Sequence, residues 1–490
     1  MTAIPAPAPD APTPHDAAVT RGAGRGGRQV FLFLQGPITP YFAHTADELE
    51  ARGHRCLRVN LCVGDVLFWR RPGAINYRGR REKWPAFIAD LIDREGVTDL
   101  MLLGEQRFYH KVAIAAAKAR NLNVTVTDFG YLRPDWITLE RDGMSGDSCF
   151  PREPEAVMAL AENLPEPDLE PRFKDSFKTQ IVWDIAYHMF SNWLWFLFPF
   201  YRSHQIYHPA LVYLGTGLHI LKAKFTAPRV DRFVAKLKAD KTPYYVLPLQ
   251  MENDFQLRAY SPYYDFKAPI HAVVASFAKN APANSRLVIK AHPLDPAMRN
   301  WARIVRRSAA KHGVSGRVDF VDGGNLAIML DASQGCITVN STVGLWSMRV
   351  AVPTMTLGTA VYDIEGMTFQ GPLDRFWTEA RPPRPDSGTL SSERSWRISR
   401  SAASITARRA LPLPFRRPRR GSISPRARGW KCATAPAATA RRRTPWCPST
   451  PSGCRTPEPS SSCLSAAATG GARPGTRPAS SRPQRSARAA

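Results

Sequence analysis

Arg-Leu-Val-Ile-Lys-Ala-His-Pro, from Arg286 to Pro293, and Cys-Ile-Thr-Val-Asn-Ser-Thr-Val-Gly, from Cys336 to Gly344, share one pattern: a short apolar run that ends in polar groups. A run apolar on both faces, such as Leu287 to Ile289, suits the middle of a parallel sheet, where helices cover both sides. Ligands of such sheets bind just beyond the carboxyl ends of the strands. Lys290, His292, Asn340, Ser341 and Thr342 are therefore expected at one crevice. After Asn340 the apolar spacing becomes helical, through Val343, Trp346, Ser347 and Val350, so Ser341 or Thr342 is the expected N-cap. The positive end of that helix would suit a phosphate. Taken singly, His292-Pro293 also reads as a strand stop and Ser341 as an ordinary cap.

Outward from these stretches the same rhythm repeats. The second series runs from strand Tyr244 to Leu249 through a helix around Ala272 to Phe277, the strand ending at Lys290, and a helix from Asp295 to Lys311. It continues with strand Val318 to Val321, the turn Asp322-Gly323-Gly324, helix Leu326 to Leu330, strand Cys336 to Val339, and Val352 to Leu357. An earlier series opens with strand Val30 to Leu34, a break at Gln35-Gly36-Pro37, and a helix marked by Phe42, Ala46 and Leu49 up to Gly53. Strands Leu57 to Leu61, Leu100 to Leu103 and Val124 to Val126 alternate there with helices around Phe87 to Ile92 and Phe108 to Ala119. Strands alternating with helices predict doubly wound parallel sheets. The fold expected is α/β, with two Rossmann-like domains facing a cleft, residues 29–149 and 243–385, of GT-B-like glycosyltransferase type. No Gly-x-Gly-x-x-Gly follows Gly36, so the dinucleotide fingerprint is missing.

Between Phe150 and Thr226 the rhythm stops, and residues 150–242 read as a helical, aromatic-rich insertion. Its centre, Trp193 to Tyr201, is too short to span a bilayer. Aromatic rings beside Arg202, His204, Lys222 and Lys224 suit an interfacial membrane contact, and equally a buried helix between the domains.

The chain has 490 residues and a formal net charge of +26. That charge is unevenly placed. Residues 386–490 hold 21 Lys+Arg against three Asp+Glu, leaving 46 and 38 for residues 1–385. The body is only mildly basic, which removes most of the case for a nucleic-acid partner. Four of the eight cysteines lie in that same segment, and Cys56, Cys62, Cys149 and Cys336 show no metal-ligand spacing. A reduced, cytoplasmic setting fits them. Residues 1–28, rich in Ala, Pro and Gly, are expected to be disordered rather than a secretory signal. Beyond Pro385 the apolar periodicity gives way to Arg, Pro, Ser and Ala, a composition expected to be disordered and read here as the product of a shifted reading frame.

Six strings in order carry a resemblance: Leu34-Gln35-Gly36-Pro37, Gly130 to Thr138 (Gly-Tyr-Leu-Arg-Pro-Asp-Trp-Ile-Thr), Leu249 to Asp254 (Leu-Gln-Met-Glu-Asn-Asp), Lys290-Ala291-His292-Pro293, Asn340-Ser341-Thr342, and Tyr362 to Thr368. Together, over about Gln29 to Trp377, they resemble the KpsS/LipB-like capsule polysaccharide biosynthesis and export family of Gram-negative bacteria. The resemblance implies a retaining β-Kdo glycosyltransferase of GT-B type. It would take Kdo from CMP-Kdo and add it to a phosphatidylglycerol-type lipid, without a metal or other cofactor, on the cytoplasmic face of the inner membrane beside other capsule proteins. It further implies Asp254 as catalytic carboxylate and His292 near the CMP phosphate. Gln250, Lys290, Asn340, Ser341 and Thr342 would hold the donor. Gln35, Gly36, Pro37, Asp128, Tyr131 and Arg133 would lie on the acceptor side, with Glu105 as candidate acid or base. Two departures stand out. Where the family commonly has two acids before Gly-Tyr-Leu-Arg-Pro, this chain has Asp128 and Phe129, and the family's closing Gln-x-Asn-Gly-like segment is absent. The rival expectation is a non-catalytic component of a capsule export assembly that binds lipid-linked polysaccharide; it would need neither Asp254 nor His292.

Overall fold

In the computed structural model, β1 (Val30–Phe33), an apolar run with no charge to expose, lies at the centre of a sheet. Residues 27–131, 136–162, 177–251, 254–382 and 407–409 are described. Around β1 stand β2 (Arg55–Asn60), β3 (Ala74–Asn76), β4 (Asp99–Leu103), β5 (Asn123–Phe129) and β6 (Trp136–Arg141). From β3 to β5 the order is β3-β2-β1-β4-β5, all parallel. β6 returns antiparallel on β5, and the three-residue β12 (Ala407–Arg409) pairs antiparallel with β6. Apart from β12, the Arg-rich segment lies outside the described residues, as do residues 1–26 and Arg133.

The second sheet contains β7 (Tyr244–Pro248), β8 (Arg286–Lys290), β9 (Val318–Val321), β10 (Gly335–Thr338) and β11 (Thr354–Thr356). It is parallel throughout, in the order β9-β8-β7-β10-β11. Both sheets therefore have the Rossmann order, and each has its switch point beside its first strand: between β1 and β4, and between β7 and β10. The expected fold class is what the chain adopts. β7 and β8 are almost wholly buried, as two helix-covered faces require. Their side chains join Phe266, Val273 and Phe277 of the Lys267–Asn280 region in one core, while Leu32, Leu57, Trp84 and Ile88 centre that of the first sheet.

One boundary differs from expectation. The helix expected from Asp295 starts at Trp301, capped by Asn300, whose side chain accepts from the Arg303 N–H at 2.9 Å. Asp295 holds the preceding loop, taking the Ala297 N–H at 2.7 Å and the Trp301 indole N–H at 3.2 Å.

The aromatic insertion is packed on one side and exposed on another. Helix Phe177–Trp193 turns Tyr187 and Ser191 onto the first sheet, whereas Trp193, Trp195 and Phe196 are exposed. The anchor is a buried polar knot. Asp65 accepts from the backbone N–H groups of Leu61 (2.8 Å) and Cys62 (3.2 Å), from Gln35 Nε2 (3.1 Å) and from the Tyr187 hydroxyl (3.1 Å), and pairs with Arg58 at 3.4 Å. Removing one partner of a buried ion pair strands the other, at a cost of about 3–5 kcal/mol. Asp65→Ala should lose stability on that scale in denaturant titration, whereas Asp65→Asn, which keeps an acceptor, should lose less.

Candidate active site

Of the residues singled out in the sequence, Gln35, Gly36, Pro37 and Glu105 follow β1 and β4, and Gln250, Asn340, Ser341 and Thr342 follow β7 and β10, at the two switch points. Gln250 follows β7 and Asn340 follows β10, and they bind each other. Gln250 Nε2 donates to Asn340 Oδ1 at 2.9 Å, and its Oε1 accepts from the Asn340 N–H at 3.3 Å. Asn340 Nδ2 also donates to the Gln256 carbonyl at 2.7 Å. The pair thus fastens the loop after β7 to the loop after β10.

Asp254 begins the five-residue helix Phe255–Ala259 as its N-cap, accepting from the Gln256 N–H at 2.9 Å. His292 is half-buried; its Nδ1 accepts from the Leu294 N–H at 3.1 Å, which leaves Nε2 to carry the proton of a neutral ring. Lys290 is buried at the end of β8, donates to the Ala291 carbonyl at 3.3 Å, and is held below the usual lysine range by burial. Ser341, rather than Thr342, supplies the cap of helix Val343–Arg349, its hydroxyl accepting from the Val343 N–H at 3.2 Å. That helix has seven residues, so its dipole is short.

On the first sheet, Gln35 is buried and spends its amide on Asp65, Tyr187 and Tyr201. At Gly36 any Cβ would collide with the Phe42 ring, so the close approach made there is to Phe42. The Pro37 carbonyl closes the turn by accepting the Thr39 N–H at 2.7 Å. Asp128 accepts the Phe129 N–H at 2.8 Å. Tyr131 is buried and donates to Glu140 at 3.1 Å. Burial pushes Glu140 up to about 7.

Glu105, in the loop after β4, is strongly perturbed. Burial pushes its carboxyl up to about 7, with Asp147 and Asp128 adding like-charge repulsion. The Tyr260 hydroxyl, from the second half of the chain, donates to Oε1, while Oε2 is buried and has no hydrogen-bond partner among the described residues. Gln106 Nε2 reaches both Asp147 (2.8 Å) and the Tyr260 hydroxyl (2.9 Å). A carboxyl bridging the halves with one oxygen free is placed for proton transfer.

The short helix Phe255–Ala259 carries a group that no sequence motif marked. Arg258, two residues before Tyr260, packs over the Phe255 ring at 4.8 Å, and its Nε and Nη2 are buried without partners among the described residues. His204 meets the same ring at 5.4 Å; burial, then the positive charge of Arg107, holds its imidazole down to about 2. His110, fully buried, gives one nitrogen to the Gly104 carbonyl at 2.7 Å and leaves Nε2 without a partner among the described residues; burial and then Arg107 hold it down to about 3. Histidines held neutral by burial and by Arg107, with the buried donors of Arg258 close to His204, mark a positive, buried recess suited to an anion. Arg258 and Tyr260 share a helix region with Asp254, a proximity the sequence does carry. Glu105 and Tyr260 are 155 residues apart, and no spacing rule could have joined them. Among the described residues, no group of three or more His, Cys, Asp and Glu is placed to hold a metal ion.

Comparison with known proteins gives concordant matches. The family described as capsule polysaccharide biosynthesis protein matches residues 98–391. The capsule polysaccharide export protein KpsS of Escherichia coli is 30% identical over 354 residues, 71% of this chain and 89% of that one. The capsule polysaccharide modification protein LipB of Neisseria meningitidis is 29% identical over 362 residues, 72% and 85% of the two chains. Among solved structures, the beta Kdo 2,7 transferase of Thermosulfurimonas dismutans KpsC aligns at 12% identity and a TM-score of 0.39, over 79% of this chain and 94% of that one. With more than half of its length matched by the family and a 30% identical relative covered nearly end to end, the chain belongs to the capsule polysaccharide biosynthesis family.

Proposed function

We propose that the protein is a retaining glycosyltransferase that moves β-Kdo from CMP-Kdo to a phosphatidylglycerol-type lipid, working at the cytoplasmic face of the inner membrane. The observation that carries the reading is the meeting of Glu105 with Tyr260 across the two halves, with Arg258, two residues before Tyr260 in the chain, holding buried donors that have no partner among the described residues. A scaffold for export would have no use for a carboxyl raised to about 7 with one oxygen free. In the reaction, the bond from the Kdo anomeric carbon to the CMP phosphate oxygen breaks and its electron pair leaves with CMP. A bond to the acceptor hydroxyl oxygen forms, and Glu105 as carboxylate takes the hydroxyl proton. Asp254 faces the developing oxocarbenium charge opposite the leaving group. His292 Nε2–H, Arg258 and the loop of Asn340, Ser341 and Thr342 receive the anionic groups of the donor, while Gln250 and Lys290 hold that loop and its strand in place. Donor and acceptor need no metal in this scheme: one phosphate and one carboxylate can be met by these donors. Incubating the protein with CMP-Kdo and a fluorescent phosphatidylglycerol analogue, then weighing the lipid by mass spectrometry, tests the whole reading; an unmodified lipid overturns it.

Three variants divide the roles. Asp254→Asn keeps the helix cap, since Asn caps as well as Asp, and removes only the charge. Transfer should fall about a hundredfold or more with unchanged thermal stability; activity above a few per cent of wild type would return Asp254 to capping alone.

For Glu105 the sign follows from its role. A base works ionised, so the rate should rise with pH through about 7 and level off above it. Glu105→Gln, which still accepts from Tyr260, should lose that rise together with about 10²–10⁴ in rate. A pH profile of the variant that parallels wild type would refute the assignment.

Arg258→Leu should weaken CMP binding about tenfold or more, the scale of a lost charged hydrogen bond. Because the guanidinium now buries donors without partners, the melting temperature should hold or rise. A fall in melting temperature with CMP affinity intact, read by calorimetry, would make Arg258 a structural residue.

A further inference from the structure

Helix Pro209–Ala239 has two faces of opposite character. Its inner face buries His219, Val230, Val234 and Leu237. His219 reaches the Asp295 carbonyl at 2.7 Å and the Asp322 carboxylate at 2.6 Å, and the Thr226 hydroxyl donates to the Asp322 carbonyl at 2.6 Å. The opposite face carries Leu211, Leu214, Leu218, Leu221 and Phe225, spaced alternately by three and four residues, and these are 54–78% exposed. Five large apolar side chains in line along about 20 Å of helix form a contiguous stripe rather than scattered surface residues. The next turns of the same face present Arg232 and Lys236, with Lys224 and Arg229 on its flanks, all exposed. Between Asp184 and Asp231 the sequence contains no acid at all. Trp193, Trp195 and Phe196, 59–68% exposed, lie in that same acid-free stretch.

We propose that this outer face docks on an anionic lipid bilayer, the helix lying in the plane of the interface. Leu211 to Phe225 enter the acyl boundary, and Lys224, Arg229, Arg232 and Lys236 meet the headgroup phosphates. Charge decides the occupant. A second copy packed face to face would set these cations against their own kind with Asp231, which accepts the Asn325 N–H at 3.2 Å, as the one acid among them, whereas an anionic headgroup layer supplies the missing charge along the whole face. Among the described residues no helix is long and apolar enough to cross a membrane, so the contact is one of lying on rather than spanning. The docking takes its purpose from the lipid acceptor proposed above, but its evidence and its test are separate from that reading.

The test is sedimentation of the full chain with phosphatidylglycerol–phosphatidylcholine vesicles and with phosphatidylcholine vesicles. It is read at low salt and at roughly 0.5 M salt, where charge-only adsorption of the Arg-rich segment is screened. The wild type should bind the anionic vesicles better and retain a salt-resistant fraction. Leu214→Ser/Leu218→Ser/Leu221→Ser should lose that fraction tenfold or more, and so should Phe225→Glu as an independent variant, with CMP binding unchanged in both. Salt-resistant binding that survives both variants overturns the proposal. So does a concentration-dependent dimer, seen in the ultracentrifuge, that the variants abolish while vesicle binding persists. If the wild type transfers no Kdo yet its vesicle binding still depends on these side chains, the glycosyltransferase reading falls and the docking surface stands.

Discussion

The contact between Glu105 and Tyr260 is the constraint to which the rest of the molecule answers. A carboxylate buried without water or a cation costs several kcal/mol, so the group stays protonated far above the usual glutamic range and shares hydrogen bonds with a phenol from the other half of the chain. Burial likewise raises Tyr260 above the ordinary tyrosine range. Neither group is content alone in that recess. Together they join the loop after β4 to the helix after β7, and Arg152 adds a second tie, donating to the Ala360 carbonyl at 2.5 Å. Tyr131, Phe150 and Val157 of the first half then pack with Leu345, Tyr362 and Met367 of the second in one apolar cluster.

Each sheet meets the recess at its switch point, and the two switch points are built differently. That of the first sheet is closed by Gln35, Asp65, Arg58 and Tyr187, a knot whose donors and acceptors are largely spent on one another. That of the second is braced by the mutual bonds of Gln250 and Asn340, which leave His292 Nε2–H and the Ser341 loop beyond the brace. The first is rigid support. The second is a brace between two loops.

Much of the fold was legible because apolar runs and helical spacing are local signals: β8 ends at Lys290 as expected, and β9 spans Val318 to Val321. The antiparallel return of β6 was not legible, since Trp136 to Arg141 has neither strict alternation nor a turn of fixed type before it. Nor was the late start of the Trp301–Lys311 helix, where Asp295 wins the loop by offering two acceptors to it. At the site, Asp254, His292 and Asn340 could be picked out by their positions after apolar strands and by resemblance. Arg258, His110 and His204 could not. Arg258 and His110 have buried nitrogens without partners among the described residues, and His204 is held neutral by burial; both are properties of packing rather than of order along the chain.

The long helix connects the two ends of this account. Its inner face touches the loop that begins at His292: Thr216 donates to the Leu294 carbonyl at 3.5 Å, Gly215 leaves no room for a side chain against the Pro296 carbonyl, and His219 holds the Asp295 carbonyl. Its outer face is the apolar stripe. An apolar stripe left in water costs roughly 25 cal/mol for each Å² exposed, a cost that a helix serving only to brace a loop could avoid with Lys or Glu at the same positions. Retaining Leu and Phe there, in a stretch free of acids, makes sense if the brace is also the foot. The element that positions the donor loop would then be the element that meets the lipid surface, and the helix's own rigidity would fix the height of the recess above the headgroups.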